Sequence, residues 1–414
     1  MEVPARLRQA RSALSLVFIV HGAVFALLVT RIPAVQDRYG LSDSVLPLFL
    51  AAVPLLAGAG SLTASRLVRR ISAPTAVRVL QPVICLTLVG VGAGGAVWHL
   101  AVCLAVFGLL VGALEATLNM TAVGIERAYG HSIMLRFHAA AGLGGITGAA
   151  LAWAGADRGF SLAALYSAAV LVLLPVAAAA GARLSRVTDK PKPDGRTGPP
   201  AGADQGRGTP WKPLLPLCLI MGVAVVADST ATNWSAKFLS DTLGGSQALA
   251  TLPYGLYMAA TLAGRGFGDR WVRRWGAAAV IRAGALLAAA GFALVASAPG
   301  PWAGVFGFGV LGAGLSVMIP QLFTLAARSL PGAPDTAVAR VNLFNYVGFL
   351  AGPPLIGAVG AAVSYRAAMC VPLVLVLSVV WVARSLEGVG ARAPASGPEP
   401  EPDPEPEPEP TVVR

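Results

Sequence analysis

Charge is scarce in this sequence. Asp, Glu, Lys and Arg make up 12% of its 414 residues, where an ordinary soluble domain carries about a quarter. A water-facing surface for 42.1 kDa cannot be built from so few charges, and that excludes a soluble enzyme. Acids are scarcer than bases, 20 against 31, yet the basic excess is clumped at loop positions rather than gathered into a patch, so nucleic acid is excluded as a partner too. Cysteine is also sparse. Cys85, Cys103, Cys218 and Cys370 are well separated in apolar stretches and read as small apolar residues, not as a disulfide or metal site. No phosphate loop, metal cluster or nucleophile triad occurs, so no cofactor and no enzymatic activity are expected. Gly307 to Gly312 fits a dinucleotide-binding pattern, but it lies in an uncharged run with no strand before it and reads as helix-packing glycine.

Long apolar runs are what the chain does have. Uncharged stretches extend from Val79 to Leu114, Phe137 to Ala156, Gly159 to Ala182, Thr242 to Gly264 and Ala283 to Ala327. Each is long enough for a membrane helix, which needs about 20 residues, and the first and last suffice for two. Hydropathy marks twelve spans, near 12–30, 44–64, 77–96, 100–122, 134–156, 160–181, 213–235, 245–264, 277–297, 302–327, 338–361 and 364–383. With the N-terminus inside, all but five of the 31 Lys and Arg residues fall in cytoplasmic segments; the five are Arg31, Arg38, Arg158, Lys237 and Arg366. The positive-inside rule therefore puts both termini in the cytoplasm. The expected organisation is a short N-terminal segment (1–11), a six-helix bundle (12–182), a Pro, Gly and Lys/Arg-rich cytoplasmic linker (183–212), a second six-helix bundle (213–385) and an acidic Pro-rich tail (386–414).

The two halves repeat one another. At an offset of 204, residues 39–72 align without gaps on 243–276 with nine identities, pairing Gly40 with Gly244, Gly60 with Gly264, Arg66 with Arg270, and Arg69 and Arg70 with Arg273 and Arg274. The same offset superposes Gly144 and Gly148 on Gly348 and Gly352. A parallel repeat of this kind is expected of a transporter whose site lies between its halves.

The repeat also carries a family resemblance. Gly264-Arg-Gly-Phe-Gly-Asp-Arg-Trp-Val-Arg-Arg-Trp-Gly276 resembles the loop signature of the major facilitator superfamily. With twelve spans and matching halves, the resemblance extends over about residues 12–385 and implies an all-α membrane protein of two pseudo-symmetric six-helix bundles (the major facilitator fold); a monomer is expected. In such a signature Asp269 holds Arg270, Arg273 or a neighbouring helix end, a gating latch that breaks as the halves rock. The first-half copy, Arg66, Arg69 and Arg70, has Ser65 in place of the acid. The plainer alternative is that these arginines only anchor topology.

Two carboxylates fall inside spans, Glu115 in the fourth and Asp228 in the seventh. An ionisable group there costs about 2.5–3.5 kcal/mol on insertion scales, so it faces a cavity and has a function by default. The superfamily resemblance implies that the first, fourth, seventh and tenth helices line the central cavity. Around Glu115, the run Gly112-x-Leu114-Glu115-x-x-x-Asn119, then Glu126-Arg127, Arg136, His138 and Gly142, Gly144, Gly145 and Gly148, resembles fucose:proton symporters and their uncharacterised bacterial relatives. That resemblance implies proton coupling by Glu115; pairing as interhelix glue is the alternative. The symporters carry an aspartate on the first helix where this chain has His21, either a titrating group or a neutral core residue. For Asp228, proton site, cation partner and interhelix pairing all remain open.

Asn119, one turn beyond Glu115, joins Asn233, Trp234, Gln321, Asn342, Asn345 and Tyr346 as expected cavity lining, an amide and aromatic set suited to a neutral polar solute. The resulting expectation is a secondary transporter of the inner (plasma) membrane whose partners are a small-molecule substrate, protons and the lipid bilayer. It would take up a polar solute such as a sugar with protons. The rival is an exporter of drugs or metabolites by proton exchange, a reading kept open by Gly352-Pro353-Pro354 on the eleventh helix.

Overall fold

The computed structural model describes residues 4–129, 133–188, 211–330 and 333–386, and of residues 65, 135, 269, 334 and 335 the backbone alone. Within a bilayer every backbone N–H and C=O must be satisfied inside its own segment, which for this chain means helices. No strand occurs among the described residues. The helices are α1 (Ala5–Val29), α2 (Ile32–Tyr39), α3 (Leu46–Arg70), α4 (Ala73–Ala93), α5 (Val97–Tyr129), α6 (Met134–Asp157), α7 (Leu162–Thr188), α8 (Leu215–Lys237), α9 (Leu252–Trp275), α10 (Ala277–Ala296), α11 (Pro301–Leu315), α12 (Met318–Ser329), α13 (Pro334–Ala362) and α14 (Tyr365–Val382). Successive spans alternate in direction. The loops therefore fall at two ends, called here the linker end, where α7 stops and α8 starts, and the far end.

Eleven segments are long and apolar enough to cross a membrane, α11 and α12 together forming one of them. The twelfth expected span is α9. Its 24 residues reach ~36 Å at 1.5 Å per residue, but Arg265, Arg270, Arg273 and Arg274 leave it too polar to qualify by composition. It is held instead by packing against α11 and α6. The short α2 lies between the first two spans, and α7 continues to Thr188, so the first six residues of the expected linker are helical. The remainder of that linker and the acidic tail after Leu386 lie outside the described residues.

Helix starts follow local chemistry. The Ser72 hydroxyl accepts the Thr75 N–H at the start of α4, and Ser364 does the same for Ala367 at the start of α14. Glu126, near the end of α5, accepts the N–H groups of Ile133 and Met134 at 2.8 and 2.7 Å. Its carboxylate thus caps the N-terminus of α6, which gives that acid a structural task.

Contacts between helices obey the offset read in the sequence. Lipid tails are as apolar as leucine side chains, so bilayer helices associate by close packing at small residues rather than by hydrophobic burial. A Cβ built on Gly60 of α3 would meet the Leu109 carbonyl of α5 at 1.9 Å, while one on Gly264 of α9 would meet Ser316 and, at 3.5 Å, the Ala313 carbonyl. Residue 313 is 109 advanced by 204. Likewise Gly144 of α6 abuts Ile19 of α1, and Gly348 of α13 abuts Gly222 and Val225 of α8. The matched turn glycines agree too: Gly40 has φ 61° and Gly244 φ 67°, a left-handed conformation that glycine adopts without steric cost.

A prediction follows from the crowding. Gly144→Ala forces its methyl into the Ile19 carbonyl, 2.0 Å from the ideal Cβ, and is expected to destabilise by about 1–3 kcal/mol. Gly58→Ala has nothing within 4 Å and is expected to leave stability level or slightly raised through better helix propensity. Melting of the two purified variants in detergent checks the contrast; equal melting temperatures would refute it.

Candidate functional site

The site begins with a closed end and an open end. At the far end, four polar contacts cross between the first six spanning helices and the last six among the described residues. Lys237, at the end of α8, reaches Asp43 at 2.9 Å and Gln36 Oε1 at 2.7 Å. Arg31 Nη1 donates to the Gln247 carbonyl at 3.3 Å, and Gln247 Nε2 donates to Asp37 at 3.4 Å. Lys237 is wholly buried, with a side chain only 2% exposed. A buried ammonium persists only when paired and hydrogen-bonded; here Asp241, one turn on, completes its partners and the Tyr365 ring lies 5.3 Å from the nitrogen. Burial alone favours protonated Asp43, but hydrogen bonds from Lys237 and Gln36 and the Lys237 charge outweigh it, so the carboxyl titrates below its ordinary range.

Toward the linker end the halves part. The seam between α6 and α9 has three rungs: a Cβ on Gly255 would lie 3.2 Å from Ala149, one on Gly145 3.4 Å from Met258, and one on Gly142 3.9 Å from Leu262. All three are contacts, the loosest at the linker-end rung, and the next rung by register sets Arg265 opposite His138 and Ala139. Beyond that seam Glu115 and His138 are exposed although they lie on helix faces turned away from the lipid side, so open space lies between the halves, a wedge shut at the far end. Two surface grooves, of about 520 Å³ beside Trp153 and Trp302 and about 470 Å³ beside Arg6 and Met120, contain neither in-span acid.

Polar groups from both halves meet along the wedge. His21 Nε2 of α1 lies 3.4 Å from Glu115 Oε1 of α5, the Glu115 side chain being 56% exposed. Exposure of that acid is toward the wedge, because its electrostatic neighbour His138 of α6 is also within range of Arg265 from the other half. The His138 ring sits edge-on to Phe18, 5.8 Å away. In the other half Asp228 accepts a short hydrogen bond from the Tyr257 hydroxyl of α9, with Tyr254 and Arg265 in electrostatic range. Arg265 itself is positioned by a helix break. Pro320 has no N–H to give the Ser316 carbonyl four residues earlier, α11 stops at Leu315, and Arg265 Nε donates to that freed carbonyl at 3.4 Å.

The other expected residues fall in different places. Asn119 is half-buried near Glu115, its Oδ1 without a described partner. Asn233 turns its amide back to the Ser229 carbonyl at 2.9 Å. Trp234 is fully buried with Tyr365 5.5 Å away, so it packs α8 against α14 and faces no open space. Gln321, Asn342 and Asn345 are half-buried, and Tyr346 is exposed. Arg66, Arg69, Arg70, Arg270, Arg273 and Arg274 are all exposed at the linker end; Arg274 lies over Trp275. The side chain of Asp269, the acid of the expected latch, lies outside the described residues. Sequence reasoning missed Arg265, Tyr254, Tyr257 and the Lys237 cluster. The signal for the first three was a stripe at helical spacing on α9, Tyr254, Tyr257, Thr261 and Arg265.

The far-end cluster makes a prediction with a definite sign. A carboxyl with a lowered native pKa stabilises its pairing at every pH above its unfolded value and loses it only as pH falls through the native value. The far end is therefore expected to stay shut at pH 5 as at pH 7. Lys237→Gln, which leaves Asp43 and Asp241 facing each other, is expected to open it at both. A spin-label distance between Ser44→Cys and Ser297→Cys reads the difference; identical distances with and without Lys237 would show that the cluster holds nothing closed.

Known proteins resemble this architecture over almost its whole length. The profile of the Major Facilitator Superfamily matches residues 217–412. A crystallised variant of the nucleoside transporter NupG superposes with a TM-score of 0.71 at 12% identity, covering 91% of this chain and 100% of that one. The transporter FucP, crystallised in its outward conformation, superposes with a TM-score of 0.60 at 16% identity over 90% of this chain and 97% of that one. An uncharacterised MFS-type transporter of Yersinia pestis is 31% identical over 370 residues, 87% of this chain and 91% of that protein. Identity at that level across nearly all of both chains, on this fold, makes the chain a multi-pass membrane protein of the Major Facilitator Superfamily, a family of secondary transporters and not of enzymes.

Proposed function

We propose that the protein accumulates a small polar solute, such as a hydroxylated one of the sugar class, by proton-coupled alternating access, with Glu115 carrying the coupling proton. The observation that carries this reading is the His21–Glu115 pair, drawn from two helices and open to the wedge on one side. Such a pair holds one proton in either of two places. With Glu115 ionised, the His21 Nε2–H donates to it; with Glu115 protonated, its O–H donates to a bare Nε2. Desolvation disfavours the charged form of a carboxyl, so closing the wedge over Glu115 favours the protonated state and opening it favours release. Asp228, held by Tyr257, is the in-span acid of the second half.

The wedge opens toward the end where the exposed arginines Arg66, Arg69, Arg70, Arg270, Arg273 and Arg274 cluster. The positive-inside rule makes that end cytoplasmic, which supports an inward-open state in the cell inner membrane with both termini inside. The halves would rock about the seams α3–α13 and α6–α9, breaking the Lys237 contacts as the exposed arginines approach.

Glu115→Gln, reconstituted in vesicles, is expected to abolish accumulation driven by an imposed proton gradient while keeping solute counterflow, because the neutral amide fixes the carrier in a proton-loaded form. Driven accumulation at the wild-type rate would sink the assignment. The sign of the coupled flux also separates uptake from export: an inward proton gradient loads the solute under this reading and expels it under exchange.

A further inference from the structure

Arg265 is the charge that the pairing of the two acids leaves over. A guanidinium in a membrane helix is costly and normally finds an anion, yet among the described residues no carboxylate lies within 4 Å of it. Its Nε is committed to the Ser316 carbonyl, and Nη1 and Nη2 make no hydrogen bond to a described residue. Because the Ser316 carbonyl is freed by Pro320, that anchor is fixed by the backbone, and it holds the guanidinium within electrostatic range of His138 in the first half and Asp228 in the second. The fork formed by the two terminal nitrogens matches a carboxylate in bidentate geometry, where an ammonium does not.

The charges around it constrain what can bind. Glu115, His21 and His138 come from the first half, and Asp228, Tyr254 and Tyr257 from the second; Asp269 follows one turn on along α9. Of the helices packed on α9, α10 adds Arg282, α6 adds Arg136 nearer the mouth, and α11 adds no charge. With Glu115 and Asp228 ionised and both histidines neutral, the innermost set around Arg265 carries one net negative charge and repels an anion. Protonating Glu115 cancels it.

We infer that Arg265 is the specificity-determining residue for an anionic group of the solute, so that the transported class is a small hydroxylated carboxylate and not a neutral sugar. This rests on the transport reading above and narrows it. The carboxylate seats on the Arg265 fork, its hydroxyls fall to Asn119 and the tyrosines, and its negative charge enters only with a proton on Glu115. Coupling then follows from charge balance across the wedge: the anion and the proton each remove the obstacle to the other.

Matched pairs test this on the purified full-length protein. Gluconate against sorbitol, and glucuronate against glucose, are added at tens of millimolar with chloride balancing ionic strength, and melting temperature is read. The expected result is stabilisation by the acid of at least one pair and not by its neutral partner, with affinity rising as pH falls, by at most about tenfold per pH unit, as uptake of one proton demands. Arg265→Gln is expected to lose the acid's effect, weakening it about tenfold or more, and Arg265→Lys to retain part of it. Glu115→Gln is expected to keep acid binding and flatten its pH dependence. Equal stabilisation by acid and neutral partner, an acid effect surviving Arg265→Gln, or no stabilisation by either acid would each overturn the inference. None of these touches proton-driven accumulation, so the transport reading fails or stands separately, on the Glu115→Gln flux.

Discussion

A charge inside a chain this poor in charge has to be met by another polar group, and that requirement shapes the molecule from the far-end closure to the wedge. Lys237 is the extreme case: a wholly buried ammonium tolerated because Asp43, Gln36 and Asp241 converge on it. Two of those partners belong to the other half, so satisfying one side chain also joins the two bundles. The same requirement brings His21 to Glu115 and Tyr257 to Asp228. In each case the polar group on one helix meets a partner on another, while the packing elsewhere is apolar, with glycines at the closest helix approaches.

How much of this was legible in the sequence depends on the range of the interaction. The spans, their alternation and the repeat were legible because they rest on composition and on positions fixed within a single helix, such as Gly40 and Gly244 with their shared turn conformation. Glu115, Asp228 and His21 were each singled out as ionisable groups at membrane depth. That His21 and Glu115 touch was not, since glycine contacts seat α1 against α6 and α5 against α3, and only the assembled bundle brings the two side chains together. Lys237 was counted as one of five outer cations, a topological marker, because nothing local reveals that Asp43, almost two hundred residues earlier, closes over it. Trp234 read as cavity lining from its place beside Asp228 and Asn233. One residue's rotation about the helix axis instead turns it into the seam with Tyr365.

Arg265 illustrates the same limit in a sharper form. In the sequence it sits at the edge of an uncharged run and inside a signature whose recognised residues lie further along, so it passes for a loop charge. Its placement depends on a proline in a different helix, which removes an N–H and leaves a carbonyl for a side chain to claim. The charge and the proline that frees its anchor are thus encoded fifty-five positions apart in the chain, and only the fold makes them one feature.

The two ends of the wedge need each other energetically. A transporter held shut at one end by a buried ion cluster must lose that cluster to turn over, and desolvated pairs are costly to separate one partner at a time. The cost is reduced when the separating surfaces gain other contacts as they part, which is the task the proposed rocking would give the arginines at the linker end, exposed in this state. The interior polar groups sit between these alternatives, where a single proton on Glu115 cancels the local net charge. A ligand can bias such a balance only by as much as it prefers one state over the other. A solute whose charge is admitted only together with that proton is therefore a better driver of the transition than one that merely fits the space.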